Sequence, residues 1–203
     1  MAKIKRVKAR NQYTCSKCGK VIEKGDEYLR GERFRSTPLI RCTSCGIRDW
    51  ELSSSEYVQG VGKICDEWEE TYGIDNIEDI VNDLEDIKDC CESSLENMPE
   101  GLQDGDVGTL LQERIDALDD AITNLEDIDI SDLKADTLNE LDYGTREQLA
   151  SLLKKDEADV DTANDYDELL ENHPDEEAVQ ELKDAAEEAI RDAVEGAIAD
   201  LSY

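Results

Sequence analysis

The stretch YTCSKCGKVIEKGDEYLRGERFRSTPLIRCTSCG, residues 13–46, holds two Cys-x-x-Cys-Gly turns, CSKCG from Cys15 and CTSCG from Cys42, with 23 residues between Cys18 and Cys42. Two such turns bring four thiolates to the corners of a tetrahedron. The glycine after each second cysteine lets the backbone curl so that amides face the sulfurs. Matched pairs at this spacing predict one metal site built by Cys15, Cys18, Cys42 and Cys45. Zinc, one Zn2+ per chain, is the preferred ion. The alternatives are four free or disulfide-bonded cysteines and a rubredoxin-type iron centre, which uses the same two turns. The chain has one Phe, two Trp and seven Tyr, fewer aromatics than an iron centre of that type would be expected to gather. Four cysteine ligands close the coordination sphere, so the metal is expected to be structural and to leave no position for a reacting water.

Outward from the knuckles, Tyr28, Leu29 and Phe34 lie near Gly25, Gly31 and Pro38, the pattern of a small hairpin with turn residues at its corners. On the N-terminal side, residues 1–12 form a Lys/Arg-rich arm, mobile or paired as a short edge strand through the alternation in KIKRVKA. Residues 1–50 carry 13 Lys or Arg against 5 Asp or Glu, leaving 9 basic and 48 acidic residues for 51–203. The protein is a basic head of net +8 on a body of net −39. The metal would hold Lys17, Lys20, Lys24, Arg30, Arg33, Arg35, Arg41 and Arg48 on one scaffold beside Lys3, Lys5, Arg6, Lys8 and Arg10. Contact with nucleic-acid phosphates is one role for these cations; neutralising the acidic body is the other.

Beyond the head the apolar period changes to that of helices. Ser53, Ser54 and Ser55 offer N-caps to a helix with Tyr57, Val61, Ile64, Trp68 and Tyr72 on one face, closed by Gly73. Ile77, Ile80, Leu84, Ile87 and Cys91 mark a second helix. Leu111, Ile115, Leu118, Ile122 and Leu125 mark a third, starting near Thr109. Pro99, Gly101 and Gly105 interrupt the connection, so the last two predict an antiparallel hairpin. From Asp129 to about Tyr143 the pattern weakens and a loop or broken turn is expected. Thr145 with Gln148 matches a capping box before a short helix. Residues 154–177 are polar enough for part of them to lack order. Pro174 would open a last helix with Val179, Leu182, Ala186, Ala189, Ala193 and Ala197 on an Ala-rich face, suited to another helix or to a second copy in a homodimer. The expected fold is therefore a small zinc-ribbon-like β module over 1–50, an acidic helical hairpin domain over 51–130, and an acidic helical C-terminal region, partly flexible, over 131–203.

Little else in the chain carries chemistry. Cys65, Cys90 and Cys91 sit in helical patterns and are expected to pack. A single His, His173, offers little for a catalytic pair, and no Gly-rich phosphate loop is present; no enzymatic activity is expected. No signal peptide is readable, and no run nears the roughly 18 apolar residues of a membrane span. Paired knuckles point to a reducing compartment, hence to a cytoplasmic location, a host's if the protein is viral.

The run YTCSKCGKVIEKGDEY with WELSSSEY after it resembles the N-terminal zinc-finger segment of a group of bacteriophage proteins. LENMPEGLQDGDVGTLLQERIDALDDAITNLEDID, residues 95–129, is similar to the acidic helical segment that follows in them. The first motif is also loosely similar to PARP-type fingers, which carry a His in the second pair where this chain has Cys42. The resemblance spans about residues 1–130, implies a phage origin and a non-enzymatic accessory role, and supplies no functional residue beyond the four cysteines.

Charge density adds a further expectation. The body carries one net negative charge per roughly four residues, or one per about 6 Å of helix at ~1.5 Å rise. Three helices side by side would bring this to about 2 Å, near the ~1.7 Å per charge of duplex DNA. An inhibitor or modulator that poses as DNA and occupies a nucleic-acid-processing enzyme or other basic protein is the first expectation, with Asp79, Asp83, Asp86, Asp116 and Asp119 as partner-binding residues. The others are a nucleic-acid-binding regulator whose acidic tail recruits a protein, a virion or assembly accessory protein, and a body whose acids only keep thin helices soluble or reflect a salt-rich habitat.

Overall fold

The computed structural model of the protein describes residues 3–32, 37–74, 76–156 and 159–201. Among these residues the head contains strands β1 (Lys3–Lys8), β2 (Tyr13–Thr14), β3 (Val21–Ile22), β4 (Glu27–Glu32) and β5 (Leu39–Cys42). β1, β4 and β5 form an antiparallel sheet in that order, and β2 pairs with β3 separately. The basic arm thus adopts the edge-strand alternative. Lysines and arginines suit an unpaired edge, and here Lys5 bonds Glu32 at 2.6 Å and Arg6 reaches Glu27 at 3.8 Å on β4. Gly25, at φ +102°, makes the turn into β4. Gly31 differs from expectation: it lies inside β4, where a Cβ would overlap Leu52 and come within 3.3 Å of Ile47 Cδ1. It permits close approach and turns no corner. Arg33, Phe34 and Arg35 lie outside the described residues.

A short 3-10 turn (Trp50–Leu52) leads to helix α1 (Glu56–Tyr72), where the Ser55 hydroxyl accepts from the Val58 N–H and Gly73 at φ +80° ends the helix. α2 (Ile77–Glu96) and α4 (Asp106–Glu126) run antiparallel: Ile77 and Val81 share a cavity wall with Leu125, and Lys88 pairs with Asp119. The connection holds a one-turn helix, α3 (Glu100–Gln103). α4 begins at Asp106, ahead of Thr109, because Gly105 serves as its N-cap.

The C-terminal third is more regular than its composition suggests. The segment expected as a loop is helix α5 (Ile130–Glu140): Asp129 accepts from the Ser131 and Asp132 N–H groups, and Leu138 is fully buried. α6 (Tyr143–Leu153) is capped by the Asp142 carboxylate, with Thr145 donating its hydroxyl to Asp142, so the Thr145–Gln148 box does not form. The polar stretch contains α7 (Ala163–Asn172), opened by a capping box between Thr162 and Asp165. α8 (Glu177–Ile198) starts three residues after Pro174, which follows the α7 cap at His173. Its buried face runs through Val179, Leu182, Ala186, Ile190, Val194 and Ala197, with Ala189 and Ala193 half-buried beside it. Ile190 and Val194 join Ile80, Leu84 and Leu118 in a core of α1, α2 and α4; Val179, Leu182 and Ala186 join Leu138, Leu149 and Leu169 in a second.

Head and body meet along α1. The Trp50 indole N–H donates to Asp66 Oδ2 at 2.7 Å, Arg48 bonds Asp66 at 2.8 Å, and Lys17 pairs with Glu67. Trp50 lies on Gly62, where a Cβ would come within 2.7 Å of Trp50 Cδ1 and closer to Cγ. Gly62→Ala is therefore expected to cost ~1–3 kcal/mol by overpacking. Urea unfolding followed by tryptophan emission measures it, and an unchanged midpoint would show that Trp50 does not seat there.

Candidate metal centre

Each knuckle is shaped by its own backbone. Cys15 N–H donates to Lys20 O at 2.9 Å, Gly19 N–H returns to Cys15 O at 3.0 Å, and Cys45 N–H donates to Cys42 O at 3.2 Å. Gly19 and Gly46 take φ +70° and +66°, left-handed values that a side chain would resist. Ser16 ties the first knuckle to β5, its N–H and hydroxyl both donating to Ile40 O at 2.9 and 2.7 Å. β5 ends on Cys42, so the sheet carries the second knuckle to the first.

The four Sγ atoms lie within 4.8 Å of one another, with Cys18 and Cys42 at 3.8 Å. Tetrahedral metal–sulfur bonds of about 2.3 Å require sulfurs about 3.8 Å apart, so these cysteines can hold a metal ion. Cys15 and Cys42 are buried, Cys45 half-buried and Cys18 exposed, and all four are free thiols.

The local electrostatics favour a cation. Burial alone would push the Cys15 thiol up, but the N–H groups of Cys18, Cys42 and Lys17 bring it down to about 6. Cys42 is also lowered, first by the Cys45 thiol and N–H, with the Ser44 N–H assisting. Cys45 pays for this: the sulfurs of Cys42 and Cys18, burial and Cys15 push it up to about 12. Amides stabilise the Cys15 thiolate, the Cys45 thiol and amides that of Cys42, and the last proton leaves easily only if a positive ion takes its place.

The basic residues read from the sequence do not form one displayed array. Lys20 and Arg30 are exposed. Lys17 is turned onto Glu67 and Arg48 onto Asp66, so neither is displayed as expected. Arg41 is a correction: it is buried, donating to Ser16 Oγ at 2.6 Å and paired with Glu51, where a phosphate cannot reach it. Arg33 and Arg35 lie outside the described residues. The role of Arg48 and Trp50 in seating the head on Asp66 was not legible, because sequence spacing gives no sign of which acid they meet.

On the body, Asp79, Asp83 and Asp86 lie on α2, Asp116 and Asp119 on α4. Asp79, Asp86 and Asp116 are exposed. Asp83 accepts from the Tyr72 hydroxyl, Asp119 from Lys88 and Asp116 from Gln112 Nε2 at 2.8 Å one turn back on its own helix, so three of the five already hold partners within the chain. Cys91 is buried in the helical core and Cys65 half-buried, where burial raises its thiol to about 11. Cys90 differs from the packing role expected of it: it is exposed. Among the described residues no helix is long and apolar enough to cross a membrane. Set against protein-family models, curated proteins and solved structures, the chain matches none of them.

Proposed function

We propose that the protein is a non-enzymatic binding protein, stapled by one zinc ion at its head, whose acidic helical body occupies the nucleic-acid-binding surface of a basic protein. One observation carries this reading. The body's 9 cations face 48 acids, and the head cations Lys17, Arg41 and Arg48 that reach it are spent on Glu67, Glu51 and Asp66 at the junction. The remaining carboxylates, Asp79, Asp86 and Asp116 among them, face solvent on long parallel-sided helices with too few cations to balance them. Such a surface attracts a basic partner over a Debye length and competes with phosphate. The burial of Arg41 and the pairing of Lys17 with Glu67 favour this reading over a head that grips nucleic acid. The resemblance to phage accessory proteins agrees with it, with a host or defence enzyme as the partner class. Zinc is chosen over iron because the chain as a whole is poor in aromatic residues, with Tyr13 and Tyr28 the two that pack in the same small core as the cysteines.

The test is binding of the charge-reversed chain, Asp79→Lys, Asp86→Lys and Asp116→Lys, to a basic nucleic-acid-binding protein captured on the wild-type chain. Asp83 and Asp119 are left intact because they also brace the helices. Affinity is expected to fall at least tenfold at low salt, with helicity unchanged, and duplex DNA should compete for the wild-type contact. Equal binding by the reversed chain would remove the proposal and favour an assembly role.

A further inference from the structure

The apolar stripe of α4 outruns its cover. Leu111, Ile115, Leu118, Ile122 and Leu125 face the hairpin core, and the same spacing continues N-terminally to Val107, with Leu110 beside it. Leu118 is fully buried, yet Val107 is 60% and Leu110 44% exposed, and Leu102 on α3 is 59% exposed. The cover ends for a definite reason. α1 reaches only as far as Tyr57 in its first turn, whose ring lies under the Arg114 guanidinium at 4.2 Å. α8 lies toward the other end, where Arg191 bonds Glu69 near the close of α1. A cleft of about 550 Å³ lined by Ser54, Tyr57, Leu111 and Arg114 opens where α1 begins. The tip itself is well tied: Gln103 Nε2 donates to Met98 O at 2.9 Å, and Gly108 is buried against the Gln103 backbone, where a Cβ would not fit.

We propose that Leu102, Val107 and Leu110 are the apolar anchor for a basic amphipathic helical segment of the partner protein. This rests on the reading of the body as a surface for a basic protein. The rim names the occupant: Glu100, Asp104, Asp106 and Glu113 are all exposed around the patch, so a segment with cations flanking its aliphatic side chains meets both chemistries. A second copy would bring the same acids against each other. Three side chains also offer far less than the ~800 Å² per partner of a stable interface, which suits an anchor within a wider electrostatic contact.

The probes are two labelled 20-residue helical peptides of equal positive charge, one with leucines at i, i+4 and i+7 spacing among lysines, the other with serines in place of the leucines. Fluorescence anisotropy reads their binding to the full chain and to the variant Leu102→Ser/Val107→Ser/Leu110→Ser, whose helicity is checked by circular dichroism. The wild-type chain is expected to bind the leucine peptide at least tenfold more tightly than the serine peptide, and the variant to lose that difference. Leu102→Ser alone, outside α4, is expected to lose part of it. A variant that keeps the leucine preference overturns the anchor, as does a wild-type chain that never had one. Self-association of the wild-type chain that disappears in the variant also overturns it, by assigning the patch to a second copy. Failure of the serine peptide to bind at low salt, with a leucine preference still dependent on the patch, would remove the charge-based function and leave the anchor standing.

Discussion

Replacing Cys42 with serine is expected to dissolve the fold of the head while the helices persist. The buried cluster around the site is small, Ala9, Cys15, Ile22, Tyr28 and Cys42 beside partly buried Tyr13, Ile40 and Cys45, and three of the four cysteines belong to it. A core of this size does not hold a domain alone. Structural zinc contributes on the order of 10–16 kcal/mol in small modules, more than any single packing contact in the chain. The helical cores contain none of the four cysteines, so far-ultraviolet circular dichroism should change little. The released thiols should become reactive alongside the already exposed Cys90. A strong chelator acting on the wild-type chain should reproduce the effect. A variant whose strand amides stay protected from exchange, with its other knuckle thiols still unreactive, would show that the head folds without the site.

Leu118→Asp is expected to be the most damaging single change in the helical body. Leu118 and Leu84 are fully buried on facing helices of the hairpin, within a core that also takes Ile190 and Val194 from α8. A carboxylate there has no cation to meet, because Lys88 pairs with Asp119 on the outside and Arg114 lies over Tyr57. Burying an unpaired polar or charged group costs several kcal/mol out of a total of ~5–15 kcal/mol for a domain. The variant should lose cooperative melting or melt well below the wild type, and Leu84→Asp should behave alike. Unchanged thermal melting for both would show that the two side chains are exposed.

The sequence carried some of this directly. Cys-x-x-Cys-Gly names the site because the turn needs its glycine at positive φ, and Gly19 and Gly46 adopt it. The four-three spacing from Ile77 to Leu125 gave the hairpin because α2 and α4 bury their stripes chiefly against each other. α5 is not legible for a different reason: its apolar residues keep no clear helical stripe, and its stability comes from Asp129 capping and from Leu138 packing into a core made with α6, α7 and α8, residues later in the chain. The capping boxes were exchanged for a similar reason. Thr145-x-x-Gln148 fits the pattern, but Asp142 holds the cap with a carboxylate that accepts from Gly144 and Thr145 N–H. Thr162-x-x-Asp165 forms the reciprocal box, with Lys155 pairing the buried carboxylate. The junction of Arg48 and Trp50 with Asp66 depends on how head and α1 meet, which no local pattern encodes. The inward Arg41 was likewise hidden, since a lone arginine before a knuckle reads as surface charge.

Metal stoichiometry in the freshly purified chain, by elemental analysis with an absorption spectrum of the same sample, tests the four-cysteine site itself. About one zinc per chain in a colourless protein is expected, the four knuckle thiols filling a closed tetrahedral site. Less than about half an equivalent of any metal would contradict it, and an equivalent of iron in a reddish preparation would contradict the assignment of zinc.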